Sequence, residues 1–339
     1  MKTLNSIALS MLDLVAVREG HGVDHALHTA LRTAQHAESL DFTRYWVAEH
    51  HNMVGIASSS TAVTMGYLAG GTSRIRIGSG GIMLPNHAPL VVAEAIGTLE
   101  ALYPGRIDLG LGRAPGTDGL TMRALRRDRV ETEQDFPRDV QELQRLLGPE
   151  RPGQRLVATP GVNSNTPIWL LGSSLFSAQL AGELGLPYAF AAHFAPRLLL
   201  QALAVYRQSF KPSAQLSAPH AAVGVQVVAA PSDEEADYLA SSLYQRVHGI
   251  VTGRRGKLPL PVEGYLNSLH PQELAAVQDF LAAAVIGGPD TVRQGLQQIA
   301  DLTQADEFIM VSDVHDVDLR LRSLSLTREI MSQQSVPAL

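Results

Sequence analysis

Residues 74–113 read RIRIGSGGIMLPNHAPLVVAEAIGTLEALYPGRIDLGLGR and contain the unit from which the rest of the chain is built. Two short β-rich runs, 74–84 and 106–113, flank a longer run with helical spacing at 89–102. The dipeptide Pro104-Gly105 ends the helical run. A strand, a helix and a second strand in this order predict a parallel βαβ unit.

The same alternation continues through the chain. Strands are predicted at 6–14, 44–51, 74–84, 106–113, 167–172, 187–194, 221–230 and 307–313. Helices are predicted at 24–40, 59–70, 89–102, 117–147, 174–184, 197–210, 232–247 and 316–332. Eight strand–helix pairs are the number that closes a barrel, whereas an open doubly wound sheet usually has fewer. The predicted fold is α/β, a (β/α)8 TIM barrel with extended loops, formed by residues 1–339 as one domain.

Two stretches are too long for simple connections. Residues 149–165 are rich in Pro, Gly and Asn and are predicted as a surface loop. An inserted loop and helical segment at 249–289 contains residues 249–264, which we interpret as a mobile lid, with a solvated connector as the alternative. Further helical patterns cover 271–284 and 289–302.

Composition narrows the function classes. The chain has 339 residues, 45% hydrophobic and 18% charged, which is typical of a globular protein. A net charge of −6 argues against nucleic acid or an anionic membrane as the main partner. No apolar run reaches ~18 residues, and no signal peptide is predicted at the start. The absence of cysteine excludes disulfides and Fe–S clusters and fits a reducing cytoplasm. The three lysines, none at a convincing strand end, argue against Schiff-base chemistry.

In a barrel, catalytic groups lie where strands end and loops begin. The residues at the ends of the predicted strands, or shortly after them, are mostly polar or small and include Ser10, Leu12, Asp13, Glu49, His50, His51, Asn52, Ser79, Gly80, Gly81, Asn86, His87, Arg113, Ser173, Ser174, Ser177, His193, Asp313 and His315. These positions converge on one rim and predict an active face there.

The Glu49-His50-His51 run raises the possibility of a metal site. Adjacent strand residues point to opposite faces, so both histidines cannot easily serve one ion. His21, His25 and His28 have helical spacing but are better explained as a solvated face. We therefore predict no metal, with a metallohydrolase as the alternative, and favour a histidine base or hydrogen-bond donor. Rim histidines that only hold a loop are the other alternative.

Gly110 and Gly112 suggest a dinucleotide fingerprint, but its third glycine position is occupied by Pro115. The strand end instead delivers Arg113, which is suited to a phosphate or carboxylate, or alternatively to a structural ion pair.

The serines at 173, 174 and 177 open a helix and predict an anion site, with simple helix capping by Ser174 as the alternative. Gly80-Gly81 allows a flat ligand to lie against the backbone, or merely forms a barrel corner.

Together these strand ends resemble the bacterial luciferase-like superfamily of flavin-dependent monooxygenases. The resembling runs are Ala48–His51, Gly78–Pro85, Pro104–Arg113, the serine turn before Gly185-Leu186-Pro187, Gly287–Val292 and Asp306–Val311. The resemblance covers essentially the whole chain and implies a (β/α)8 barrel.

The resemblance also implies a site. His50 corresponds to the histidine beside the flavin, proposed as a catalytic base, and Gly80-Gly81 to a cis peptide behind the ring. The other cofactor-binding positions are Ser79, Arg113, Ser173, Ser174 and Ser177, the last four at the phosphate end. The predicted substrate contacts are Leu12, Met83, Asn86, His87 and His193.

The implied reaction uses reduced FMN and O₂ as co-substrates to oxygenate a small organic molecule, which is aldehyde-like, aliphatic or aromatic. The implied partners are a separate flavin reductase and a second copy of the chain in a homodimer. Two alternatives stay open: hydride transfer with a deazaflavin (F420) on the same fold, and a non-catalytic flavin-binding subunit.

Overall fold

A closed ring of parallel strands forms the centre of the molecule. The computed structural model describes residues 2–114, 119–125 and 135–333. Its strands are β1 (Ala8–Asp13), β2 (Arg44–Val47), β3 (Arg76–Ser79), β4 (Ile82–Met83), β5 (Ile107–Gly112), β6 (Ile168–Gly172), β7 (Tyr188–Phe190), β8 (Ala221–Ala229), β9 (Val285–Gly287) and β10 (Glu307–Val311). The ring runs β1-β2-β3-β5-β6-β7-β8-β10 and closes where β10 pairs with β1. The predicted TIM barrel is confirmed.

Helices surround this ring. They are α1 (Val23–Ser39), α2 (Thr61–Gly70), α3 (Pro89–Leu102), α4 (Gly119–Leu125), α5 (Asp135–Leu147), α6 (Leu175–Glu183), α7 (Leu199–Ser209), α8 (Asp233–Val251), α9 (Pro271–Phe280), α10 (Pro289–Thr303) and α11 (Val317–Ser332). Outward strand residues such as Met11, Tyr45 and Ile77 pack with these helices in one large apolar cluster. Among the described helices, none has the length and apolarity needed to cross a bilayer.

The barrel interior is layered because every second strand residue points inward. At the amino ends of the strands, Arg44 bonds to both Asp108 and Glu307 with N–O distances of 2.7 Å. The next layer is apolar and includes Trp46 and Trp169, whose rings meet edge to face at 5.1 Å. This layer separates the amino end from the opposite mouth, where the strands end.

Several predicted elements differ in extent from the observed ones. The predicted strand 74–84 is two strands, β3 and β4, with Gly80 and Gly81 between them. Of the predicted helix 117–147, α4 and α5 are seen, and 117–118 and 126–134 lie outside the described residues. The sequence did not predict the three-residue strand β9, which pairs with the carboxyl-terminal end of β8. Residues 149–165 contain no helix or strand, as predicted.

The segment interpreted as a lid is attached to the loop that follows β1. The Leu258 N–H donates to the Val17 carbonyl at 2.8 Å, and the Glu19 N–H donates to the Leu258 carbonyl at 2.8 Å. The Gln245 side chain donates to the Leu260 carbonyl at 2.7 Å. These hydrogen bonds attach the segment at Leu258 to the loop after β1 and at Leu260 to α8. Movement of the segment as a lid stays a prediction.

Candidate active site

Arg113 and the start of α6 lie together on the mouth of the barrel. They follow the neighbouring strands β5 and β6, which pair at Gly112 and Leu171. The Arg113 guanidinium carbon lies 4.5 Å from the centre of the Phe176 ring, and Phe176 is in the first turn of α6. Arg113 is exposed and, among the described residues, forms no ion pair. An exposed guanidinium beside a helix N-terminus is suited to bind an anion.

The serines at the start of α6 have different roles. Ser174 is the N-cap, and its Oγ accepts from the Ser177 N–H at 3.4 Å, so the capping role is present. The Ser177 hydroxyl is buried and donates to the Ser174 carbonyl at 2.9 Å. Ser173 is half-buried and lines a surface groove with Phe194 and Arg197. Ser177 therefore shapes the turn, whereas Ser173 and Ser174 face the rim.

Gly80 and Gly81 are joined by a cis peptide bond, as the resemblance implied. A Cβ on Gly80 would lie 2.6 Å from Leu12 Cδ1, and one on Gly81 would lie 2.7 Å from the Gly110 carbonyl oxygen. The backbone thus passes too close to its neighbours for a side chain. Leu12 is buried in the barrel under Gly80, so it supports the mouth from below.

Ser79 serves the barrel wall. Its buried hydroxyl donates to the Gly110 carbonyl at 2.8 Å and accepts from the Gly110 N–H at 3.0 Å. Both hydrogen bonds join β3 to β5. Cofactor binding at Ser79 stays a prediction.

Two histidines, His50 and His193, share the mouth. The ring of His193 lies over Gly224 of β8, where a Cβ would come within 2.5 Å of the His193 Nδ1. Burial is the main cause that lowers the pKa of His193 to about 4; Asp313 opposes this shift, and His50 and Arg246 add to it. The His193 imidazole is therefore neutral near pH 7. His50 is half-buried, and its carbonyl accepts from the Ser59 hydroxyl at 2.8 Å.

Sequence reasoning missed part of the polar lining. Gln226 on β8 donates to Asp313 Oδ2 at 3.4 Å, and Arg246 of α8 contacts Asp313 Oδ1 at 2.9 Å. The Gln226 side-chain oxygen and the His193 Nδ1 are buried without a hydrogen-bond partner within the described chain. The available signal was the lone glutamine in the apolar run 221–230.

A second polar group joins the loops after β2 and β4. Glu49 Oε1 lies 2.9 Å from His51 Nε2 and 2.8 Å from His87 Nε2. The Met83 N–H donates to Glu49 Oε2 at 3.3 Å. His87, predicted as a substrate contact, is thus bonded to Glu49. Asn86 is buried in the 3-10 turn Leu84–Asn86.

Comparison with known proteins gives one family. The model of the luciferase-like monooxygenase family matches residues 7–305. A luciferase-like monooxygenase of Escherichia coli (strain K12) is 47% identical over 331 residues, covering 98% of this chain and 99% of that protein. The uncharacterized protein YvbT of Bacillus subtilis (strain 168) is 49% identical over 323 residues, covering 95% of this chain and 96% of that protein.

Solved structures agree with the fold. Apo-MsnO8 superposes with a TM-score of 0.85 at 33% identity, covering 96% of this chain and 98% of that chain. The oxygenating constituent of 3,6-diketocamphane monooxygenase from Pseudomonas putida, in complex with FMN, gives 0.72 at 18% identity, covering 98% and 100%. An F420-dependent secondary alcohol dehydrogenase gives 0.68 at 16% identity, covering 98% and 100%.

Proposed function

The chain belongs to the luciferase-like monooxygenase family, and we propose that it uses reduced FMN and O₂ to oxygenate a small organic substrate. The observation that carries the proposal is the position of Arg113 beside the start of α6, on the same mouth as the cis Gly80-Gly81 peptide. A phosphate and a flat ring system would each find a fitting surface there. When bound, the flavin supplies the redox chemistry.

Arg113 and the α6 N-terminus would hold the phosphate. Backbone N–H groups and the helix dipole favour an anion at this end of α6, and the Arg113 guanidinium adds two parallel donors. The Phe176 ring under Arg113 fixes the guanidinium plane. Ser173 and Ser174 provide hydroxyls on the same rim.

The rest of the mouth would hold the ring and the substrate. The backbone at Gly80-Gly81 gives a surface without side chains, and the half-buried Met83 gives an apolar wall. His50 would accept or return a proton during oxygenation, and the neutral His193 imidazole would hydrogen-bond the substrate. In this proposal a separate reductase supplies reduced FMN, and the working unit is a homodimer.

Similar proteins support this choice of cofactor. The structure with a TM-score of 0.72 contains FMN, and its protein is an oxygenating constituent of a monooxygenase. The F420-dependent dehydrogenase with a TM-score of 0.68 supports a second candidate, deazaflavin-dependent oxidoreduction without oxygen. Oxygen uptake separates the two candidates, since only the first requires it.

The phosphate contact is tested by binding FMN and riboflavin, which lacks the phosphate. We expect R113A to weaken FMN binding about 10- to 150-fold, because it removes one charged hydrogen-bonding group. Riboflavin binding should stay unchanged. R155A, on an exposed arginine of the loop before β6, is the matched control. Equal loss of both ligands in R113A, or loss in R155A, would reject the phosphate site.

The reaction is tested with photoreduced FMN, O₂ and a panel of small aldehydes, ketones and aromatic compounds. We expect substrate-dependent product formation, and a decrease of about 10²- to 10⁴-fold in H50A with FMN binding retained. Turnover of reduced F420 without oxygen uptake would favour the second candidate. An H50A variant with unchanged product formation would remove His50 from the reaction.

A further inference from the structure

Glu49, His51 and His87 form a cluster that the proposed flavin reaction does not use. Both imidazole Nε2 atoms lie close to Glu49 Oε1, at 2.9 and 2.8 Å, and the three residues offer ligand atoms that lie within 4.8 Å of one another. We propose that this cluster is a binding site for a divalent transition-metal ion, with Zn²⁺ as the expected ion. The site would lie at the mouth of the barrel and join the loops after β2 and β4.

The donor set is the first argument. Two imidazoles and one carboxylate are a set of protein ligands that holds Zn²⁺ and leaves a fourth position open. In a tetrahedral site the ligand atoms are about 3.3 Å apart, given metal–ligand distances of about 2.0–2.1 Å. The observed nitrogen–oxygen distances of 2.8 and 2.9 Å would open by about half an ångström. Loop side chains can make such a movement without displacing a strand.

The surroundings of the carboxylate are the second argument. Metal-binding carboxylates are usually held in place by further hydrogen bonds. The Glu49 side chain is 1% exposed, and its other oxygen accepts from the Met83 N–H at 3.3 Å, so Oε1 is held toward the two histidines.

An ion would have a route to this position. The side chains of His51 and His87 are 16% and 30% exposed, so the cluster is reached from the His87 side.

The sequence interpretation of this region weighed only one pair of histidines for a metal site and rejected it. It considered His50 and His51, which are adjacent and cannot easily serve one ion. The structure instead brings His51 to His87, which is 36 residues away in sequence, through Glu49. His50 is not a member of the cluster, so ion binding can be separated by mutation from the proposed role of His50 in proton transfer.

Calorimetric titration of the chelator-treated full chain with ZnCl₂ tests the proposal, and the visible absorption of added Co²⁺ reports the coordination geometry. We expect one ion per chain, a four-coordinate Co²⁺ spectrum, and binding at least about 100-fold weaker in E49Q and H87N. The matched control is H25N, because His25 of α1 and His21, which precedes the helix, stack at 4.0 Å and are a competing histidine pair. H25N should bind as the wild type does.

Three results would overturn the proposal: no binding to the wild-type chain, unchanged binding in H87N, or loss of binding in H25N. Glu49 is buried, and H87N, on a partly exposed residue, tests the site even where E49Q does not fold. Titration of H87N with FMN distinguishes this proposal from the flavin proposal, because FMN binding should be retained while Zn²⁺ binding is lost.

Discussion

The two ends of the barrel differ in how completely their buried polar groups are paired. At the amino end, Arg44 bonds to Asp108 and Glu307, and Arg76 bonds to Asp108 at 2.7 Å. At the mouth, the Gln226 oxygen and the His193 Nδ1 have no hydrogen-bond partner within the described chain. Buried polar groups in folded proteins are nearly always paired, so the unpaired groups indicate where a ligand or water completes the structure.

This difference in pairing assigns stability to the amino end of the barrel and function to the mouth. The amino-end charges are covered by the Trp46 and Trp169 layer, which separates them from the mouth. At the mouth, strands end in residues that pair incompletely and can exchange protein contacts for ligand contacts. In (β/α)8 enzymes the carboxyl ends of the strands carry the chemistry and the other end carries stability.

The largest expected effect is at the amino end. R44M removes the cation between Glu307 and Asp108, which leaves two buried carboxylates with weaker compensation. We expect a loss of about 3–5 kcal/mol in the free energy of unfolding, measured with urea. R113A at the mouth is the matched control and should change stability by less than about 1 kcal/mol. Similar losses in both variants would show that the two ends do not differ in this way.

The loss of stability at acid pH should come from the same network of Arg44, Asp108 and Glu307. Burial alone would raise the pKa of Glu307, but Arg44, His220 and Ser10 outweigh burial and lower it from 4.5 to about 2. The stabilisation is therefore complete above pH 4.5 and is lost as the pH falls toward 2. We expect about 3 kcal/mol to be lost over this range, measured by urea unfolding at each pH. E307Q should flatten the profile, and an unchanged slope would assign the acid sensitivity to other carboxyl groups.

The fold could be predicted from sequence because it follows from repeated local patterns. Each strand–helix pair is visible as a short β-rich run followed by a longer run with helical spacing, and eight such pairs close a ring. The strand boundaries were less predictable, since Gly80 and Gly81 divide one predicted β-rich run into the two strands β3 and β4. The strand β9 is only three residues long, Val285–Gly287, which is too short for a period to be recognised.

The site could be predicted only in part. Arg113, Ser174 and His50 follow strand ends, and a strand end places a residue at the mouth whatever its partners are. The groups that each of these residues contacts could not be predicted, because three-dimensional packing determines them. Nothing in the order of residues brings His87 to Glu49, or turns the Ser79 hydroxyl toward Gly110.

A smaller effect is expected from the removal of two serine N-caps, Ser174 on α6 and Ser232 on α8. The Ser232 hydroxyl accepts from the Glu235 N–H at 3.2 Å, much as Ser174 accepts from Ser177 at 3.4 Å. S174A and S232A should each cost about 1 kcal/mol of stability in thermal or urea unfolding. Only S174A should weaken FMN relative to riboflavin, by a few-fold, since only α6 begins beside Arg113. Equal weakening in S232A would mean that the FMN effect comes from lost stability.

The smallest expected change in stability is at Gln226 in the mouth, and Gln215 at the other end of the barrel is its comparison. Q226L removes a buried oxygen without a partner, and Asp313 keeps Arg246, so stability should rise or stay within about 1 kcal/mol in urea unfolding. Gln215, at the amino end of β6, accepts from the Ile168 N–H at 3.2 Å and donates to the Ile168 carbonyl at 2.9 Å. Q215L breaks both bonds and should cost about 1–2 kcal/mol. A larger loss in Q226L than in Q215L would mean that the mouth is as completely paired as the amino end, and the unpaired Gln226 oxygen would no longer indicate a ligand.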